Sequence, residues 1–305
     1  RRRRLRPEVV GYLVGALVIT AAGIADDRFD LDYRAKFVAQ IAAALLFIGL
    51  SGLHMERVPF MFTGTLPDWA GLPLTVLVLI AVTNAVNLSD GMDGLAGGTS
   101  LIAAAALGYL AFLGGDRQIA LVALALIGAT LGFLRYNTFP ARVFMGDTGS
   151  QFLGFSVGVL AILVIEHSNT ALSPLVPLLI LGLPILDTAN VMLRRIRAGR
   201  SPFSADRQHL HHRLLDGGLS QYEALLVIYG LQGLLVGLAW ILRYAHDAFL
   251  LLAYVGFSTA LLLGLRWWEG GHTEGRALAS RFDPVNRLVG FLRANDIMRR
   301  LGQGG

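Results

Sequence analysis

The stretch Leu72-Pro-Leu-Thr-Val-Leu-Val-Leu-Ile-Ala-Val-Thr-Asn84-Ala-Val-Asn87-Leu-Ser-Asp90-Gly-Met-Asp93-Gly94 decides how the whole chain is read. Residues 72–89 carry no charge and are long enough to cross a bilayer as a helix. At the end of this run Asn84, Asn87, Asp90 and Asp93 recur at every third position. On an α-helix such steps drift by about 60° each, giving a slanting polar stripe, whereas in a 3₁₀ turn they align more closely. Side-chain oxygens concentrated at the end of an apolar helix make a poor core and a good ligand array. A capped helix end in a turn is the plainer alternative.

Working outward, similar apolar runs occupy 9–25, 36–53, 97–113, 118–135, 150–166, 174–193, 222–243 and 248–267. With 72–89 they predict an all-α, polytopic transmembrane bundle of about nine spans. The composition agrees, since the 305 residues are 54% hydrophobic and only 15% charged, against about 25% charged in soluble domains. Prolines at 174, 177 and 184 predict a bent or broken seventh span. Residues 1–268 read as one membrane domain and 269–305 as a basic tail, with Val285, Leu288, Val289 and Leu292 at helical spacing. That tail is either an amphipathic helix on the inner leaflet or a disordered segment.

Four polar clusters interrupt the apolar pattern: Asp26-Asp27, Asn84 to Asp93, Asn137 to Asp147, and His209 to His212. An even number of runs separates each from the next, so all four emerge on one face if every run crosses. That face carries 18 of the Arg and Lys residues against 8 on the other, which places the clusters in the cytoplasm. The arginine run Arg1 to Arg4 lies on the opposite side and conflicts with that rule. A start without methionine reads as a truncated or processed end. The chain has no cysteine, so any metal is held by oxygen or imidazole, which favours magnesium, manganese or zinc. No nucleic-acid-binding pattern accompanies the net charge of +5.

Each cluster suggests its own chemistry. Adjacent carboxylates at Asp26 and Asp27 repel, and a divalent metal or a base such as Lys36 relieves this; an ordinary solvated loop is the alternative. Asp147, between Gly146 and Thr148-Gly149-Ser150, reads either as a carboxylate presented to a metal or as the N-cap of the sixth span. His209, His211 and His212, with Arg207 and Arg213, suit phosphate oxygens. A zinc site is the rival, although four successive positions do not easily converge three imidazoles on one ion. Acidic metal ligands beside a basic loop at a membrane surface point to phosphoryl transfer.

The motifs Ala25-Asp26-Asp27-Arg28-Phe29-Asp30, Asn84 to Gly98, Val143-Phe-Met-Gly-Asp147-Thr-Gly-Ser150 and His209-Leu-His-His-Arg213 occur in that order. Together they resemble the four cytoplasmic signatures of the polyprenyl-phosphate N-acetylhexosamine-1-phosphate transferases, glycosyltransferase family 4. The loop from Arg194 to His209 is similar to that of the undecaprenyl-phosphate N-acetylglucosamine-1-phosphate transferase branch. The resemblance implies a bacterial plasma-membrane enzyme with a cytoplasmic active site that initiates cell-envelope polysaccharide synthesis. It implies UDP-N-acetylglucosamine as donor, undecaprenyl or decaprenyl phosphate as acceptor, and magnesium, with manganese as a substitute. Another UDP-N-acetylhexosamine or a UDP-muramoyl-pentapeptide is the alternative donor, and a homodimer is left open.

Carried over by motif, Asp147 is implied as a metal ligand together with Asp90. Asp26 and Asp27 are implied at the lipid phosphate or metal, and Asp90 and Asp93 as further catalytic carboxylates. Lys36, Asn87, Asn137, Arg207, His209, His211 and His212 are implied as substrate-binding, and Asp187 as a supporting or helix-bend residue. The family usually has two further spans upstream, so the chain is expected to be a fragment.

Rival classes fit less well. Intramembrane aromatic prenyltransferases space their aspartates by four and lack the histidine loop. In alcohol phosphatidyltransferases Asp-Gly is followed by Ala-Arg, a pattern that Ala96-Gly97 breaks. A transporter would hold its ionisable residues at the bilayer midplane, where Asp187 is the only candidate.

Overall fold

The computed structural model describes residues 5–61, 65–168, 171–201 and 208–282, and all regular structure among them is helical. In chain order the helices are α1 (Pro7–Phe29), α2 (Tyr33–Ser51), α3 (Asp68–Ser89), α4 (Leu95–Leu113), α5 (Arg117–Asn137) and α6 (Gly146–Leu163), the last continued by a π-turn at Val164–Ser168. There follow α7 (Val176–Ile180), α8 (Gly182–Arg197), α9 (Leu210–Asp216), α10 (Gln221–Leu242) and α11 (Asp247–Phe282). The chain forms two compact units that meet between Ser258 and Thr259. Every site residue discussed below belongs to the first.

Local chemistry sets the helix ends. Pro7 opens α1, and Asp30 ends it in the left-handed region at φ 50°. Asp32 then caps α2 by accepting from the Arg34 N–H. Asp116 caps α5 through the Ile119 N–H, and Ser220 with Glu223 forms a reciprocal capping box at the start of α10.

Helix α6 is the hub. It packs against α1, α3 and α4, and from Ser150 to Leu163 nearly every residue is buried. A helix apolar on all sides belongs inside a bundle. Close approach to α1 depends on Gly23, where an added Cβ would lie 2.4 Å from the Thr148 Cα. This contact sets the C-terminal end of α1 against the N-terminal end of α6.

Among the described residues eight helices, not nine, are long and apolar enough to cross a membrane. The seventh run is divided into α7 and α8 at Leu181 (φ −100°, ψ 11°), the break its prolines predict. A broken helix leaves carbonyls without partners, which in a membrane must be satisfied from neighbouring helices. Here Gln232 donates to the Ile180 carbonyl and the Tyr254 hydroxyl donates to that of Gly182 at 3.0 Å. The last helix runs past the expected end at 267, while 285–301 and Arg207 lie outside the described residues.

Candidate active site

Asp26 and Asp27 are not loop residues: α1 continues through them to Phe29. One turn into α2, the Lys36 Nζ lies 2.6 Å from Asp26 Oδ2 and 2.7 Å from Asp147 Oδ2. Asn87, in the last turn of α3, donates its amide to Asp147 Oδ1 at 3.0 Å and to Ser150 Oγ at 2.8 Å. The ends of α1 and α3 and the starts of α2 and α6 thus meet at Asp147.

Asp147 does not cap its own helix. The N-cap position is Met145, and no side chain of the segment itself bonds there. The cap comes from α1: Asp27 accepts the Asp147 N–H at 2.7 Å, the Thr148 N–H at 3.2 Å and the Thr148 hydroxyl at 2.5 Å. A carboxylate is favoured there by the exposed amides and the helix dipole. Gly146 makes room for it, since its φ is +64° and an added Cβ would sit 2.8 Å from an Asp27 oxygen. With its own N-terminus capped from outside, the Asp147 side chain is free to face Lys36 and Asn87.

The three-residue stripe does not persist as one helix. Asn84 and Asn87 lie on α3, whereas Asp90 ends it and Asp93 falls in the turn before α4. Asp93 accepts the Ala141 N–H at 2.9 Å. Asn137 is buried, accepting from the Gly94 N–H at 3.0 Å and donating to the Val143 carbonyl at 2.9 Å. These two residues tie the α3–α4 turn to the loop between α5 and α6. Asp90 stays nearer the chemistry: burial first, then the fields of Asp147 and Asp93, push its carboxyl up to about 6.

The histidine segment closes on the same region. His209 bonds the Asp187 carboxylate through Nδ1 at 2.9 Å, and Asp187 also accepts the Leu210 N–H at 2.7 Å. Asp187 therefore orients His209 and anchors the start of α9. His211 is buried against Gly91, where an added Cβ would lie 2.4 Å from its ring. Its ring centroid is 4.1 Å from that of His212 and 6.0 Å from that of His209. Burial, reinforced by the neighbouring His212, lowers its imidazole to about 4. At neutral pH His211 is thus an uncharged ring and not one of three cations.

An apolar cavity of about 1120 Å³ runs along α3, from Val58 and Glu166 at one end to Lys36, Gly91 and the three histidines at the other. Arg195, buried to 4% exposure at the end of α8, also lines it. In the sequence Arg195 falls within the Arg194–His209 stretch that resembles the branch's loop, where nothing distinguishes it from the neighbouring arginines.

Among the described residues, no group of three or more His, Asp or Glu side chains is arranged to close around one ion. Magnesium does not require such a group, because it commonly binds one or two carboxylates plus substrate phosphates and retains water. The donors present, Asp147, Asp90 and Asn87, are all oxygen donors, and carboxylates outnumber the one ammonium beside them. The set fits a hard divalent cation.

The motifs join by side-chain contact, and the sequence match is consistent with them. The family model for glycosyl transferase family 4 matches residues 9–165. The chain belongs to this family. Residues 9–165 contain the Asp26-Asp27, Asn84–Asp93 and Asp147 motifs of family 4, while the histidine segment lies beyond them. A Bacillus subtilis (strain 168) protein named probable undecaprenyl-phosphate N-acetylglucosaminyl 1-phosphate transferase is 44% identical over 219 residues, covering 71% of this chain and 61% of its own length. The Escherichia coli (strain K12) undecaprenyl-phosphate alpha-N-acetylglucosaminyl 1-phosphate transferase is 32% identical over 250 residues, covering 79% and 67%. Mycolicibacterium smegmatis decaprenyl-phosphate N-acetylglucosaminephosphotransferase is 38% identical over 239 residues, covering 71% and 59%. The chain therefore spans about three-fifths to two-thirds of the length of these family 4 relatives.

Proposed function

We propose that the protein transfers N-acetylglucosamine-1-phosphate from UDP-N-acetylglucosamine to a polyprenyl phosphate at the cytoplasmic face of a bacterial plasma membrane. The products are a polyprenyl-diphosphate sugar, which starts a cell-envelope polysaccharide, and UMP. The names of the relatives support the reaction. The observation that carries it is Lys36: this ammonium sits at the polar end of a long apolar cavity and bridges Asp26 to Asp147. An isoprenoid tail suits the cavity walls, and its phosphate suits that end.

In this reading an acceptor phosphate oxygen forms a bond to the β-phosphorus of the donor. The bond from that phosphorus to the bridging oxygen breaks, and its electron pair leaves on UMP. Lys36 holds the acceptor phosphate, and Asp26 is the carboxylate placed to take its proton. Asp27 holds the start of α6 and so aims Asp147. Bound magnesium, held by Asp147 with Asp90 and Asn87, would neutralise charge building on the diphosphate. His209, fixed by Asp187, presents its remaining ring nitrogen to the donor, with His212 and Arg195 on the same cavity wall; a role for Arg207 rests on the sequence motif alone. His211 contributes a neutral wall.

The test supplies the full-length protein with radiolabelled UDP-N-acetylglucosamine, polyprenyl phosphate and magnesium. Labelled lipid and stoichiometric UMP are expected. No product with any of several UDP-N-acetylhexosamines would sink the reaction class, and product with only another sugar would correct the donor.

A further inference from the structure

One helical turn deeper than the charged contacts lies a set of amides that the proposed chemistry does not use, of which Asn84 alone belongs to a quoted motif. Gln40 follows Lys36 by four residues on α2, Gln151 follows Asp147 by four on α6, and Asn84 precedes Asn87 by three on α3. Such spacings place each amide under Lys36, Asp147 or Asn87 on the same helix face. The amides find one another. Asn84 donates to Gln40 Oε1 at 2.7 Å, Gln40 donates back to Asn84 Oδ1 at 3.4 Å, and Gln40 also donates to Gln151 Oε1 at 3.2 Å. Gln40 and Gln151 are 3% and 2% exposed.

We infer that Gln40, Asn84 and Gln151 form a positioning layer that locks α2, α3 and α6 in axial register, so that Lys36, Asn87 and Asp147 meet. This rests on the proposed reaction only for what the charged set then does. Stability alone accounts poorly for the layer, because interhelical hydrogen bonds inside membranes contribute little on average. Their geometric demand is strict, however: an amide pair bonded in both directions tolerates little sliding of one helix along another. Neutral groups also suit the position, since a charge here would disturb the balance between Lys36 and the carboxylates above it. None of the three needs to touch a reacting atom.

The test compares Gln40→Leu, Asn84→Leu and the double variant with the wild-type full chain. Readouts are turnover, KM for the UDP-sugar, the magnesium concentration for half-maximal rate, and melting temperature with and without magnesium. A register role predicts a kcat loss of about 10- to 100-fold and a raised magnesium requirement. KM and the metal-free melting temperature should change little. The double variant should be no worse than Gln40→Leu, because that change already breaks every interhelical contact that Asn84→Leu breaks. Wild-type kcat and magnesium response in both singles would overturn the inference. So would a loss of activity that tracks a lower metal-free melting temperature with the magnesium response unchanged. If the wild type itself transfers no sugar, the functional reading fails instead. The inference is then decided by whether magnesium raises the melting temperature less in Gln40→Leu than in wild type.

Discussion

Helices α1 and α6 carry a polar cluster at each end, and the two clusters differ in kind. At one end Asp26 and Asp147 bind Lys36, which lines a large cavity, while Asp27 holds the start of α6 beside them and Asp90 lies within the field of Asp147. At the other, Arg6 bonds Asp116 at 2.8 Å and His167 at 3.0 Å, with Glu8 3.8 Å from the same imidazole. There Arg6 donates to a carboxylate and to an imidazole, and none of the four side chains lines the cavity. Side chains that bond one another away from a cavity tie helices together and ask for nothing more. An excess of carboxylates at the mouth of a cavity invites a cation and its phosphate-bearing ligand. The contrast separates a strut from a site more clearly than burial or motif does.

The contrast is tested hardest at Asp147. Asp147→Ala should lower sugar transfer by about three orders of magnitude, measured as labelled lipid at saturating magnesium, and near-normal activity would remove the metal assignment. Asp27→Asn comes next. It keeps one acceptor oxygen for α6 but weakens the cap, so activity should fall roughly 10- to 100-fold with a raised magnesium requirement. An unchanged requirement would show that Asp27 does not aim Asp147.

Asp90→Asn probes the excess charge directly. The unfolded chain gives up this proton near its ordinary value of 3.8, whereas the folded protein holds it to about 6. Across that window folding takes up a proton, so stability falls as pH rises from about 4 to about 6 and stays reduced above it. The shift corresponds to at most about 3 kcal/mol. Asp90→Asn should therefore raise the metal-free melting temperature at pH 7, leave it nearly unchanged at pH 4, and impair turnover. A lower melting temperature at pH 7 would show that the carboxylate stabilises the fold. The smallest effect on activity is expected from Asp116→Asn in the far cluster, with transfer within about twofold of wild type and a melting temperature a few degrees lower. Loss of activity without loss of stability there would break the comparison.

Much of this was legible in the sequence because lipid imposes simple rules. Uninterrupted apolar runs marked the helices, and Pro174, Pro177 and Pro184 marked the broken one. The order of the acidic and histidine motifs marked the residues that meet. What escaped depends on partners far apart in the chain. Gln40 and Gln151 stand 111 positions apart and look like isolated polar residues tolerated in a span. Arg6 belonged to a terminal basic run, so its pairing with Asp116 and His167 left no local pattern. Asp187 was visible as a polar residue at a helix bend, but not as the partner that orients His209. The reading of Asp147 as a cap erred for a related reason: the cap is supplied by Asp27, 120 residues earlier.

The placement of Asp27 also bears on selectivity. A helix start left open beside an active site would attract any abundant small anion, free phosphate included, because its amides do not distinguish one oxyanion from another. In this protein the first amides of α6 are already occupied by a tethered carboxylate. In the proposed reaction, phosphate groups would then be recognised through cationic side chains and a divalent metal, which respond to the charge and denticity of a diphosphate. One of the site's own acids would thereby shield it from free phosphate.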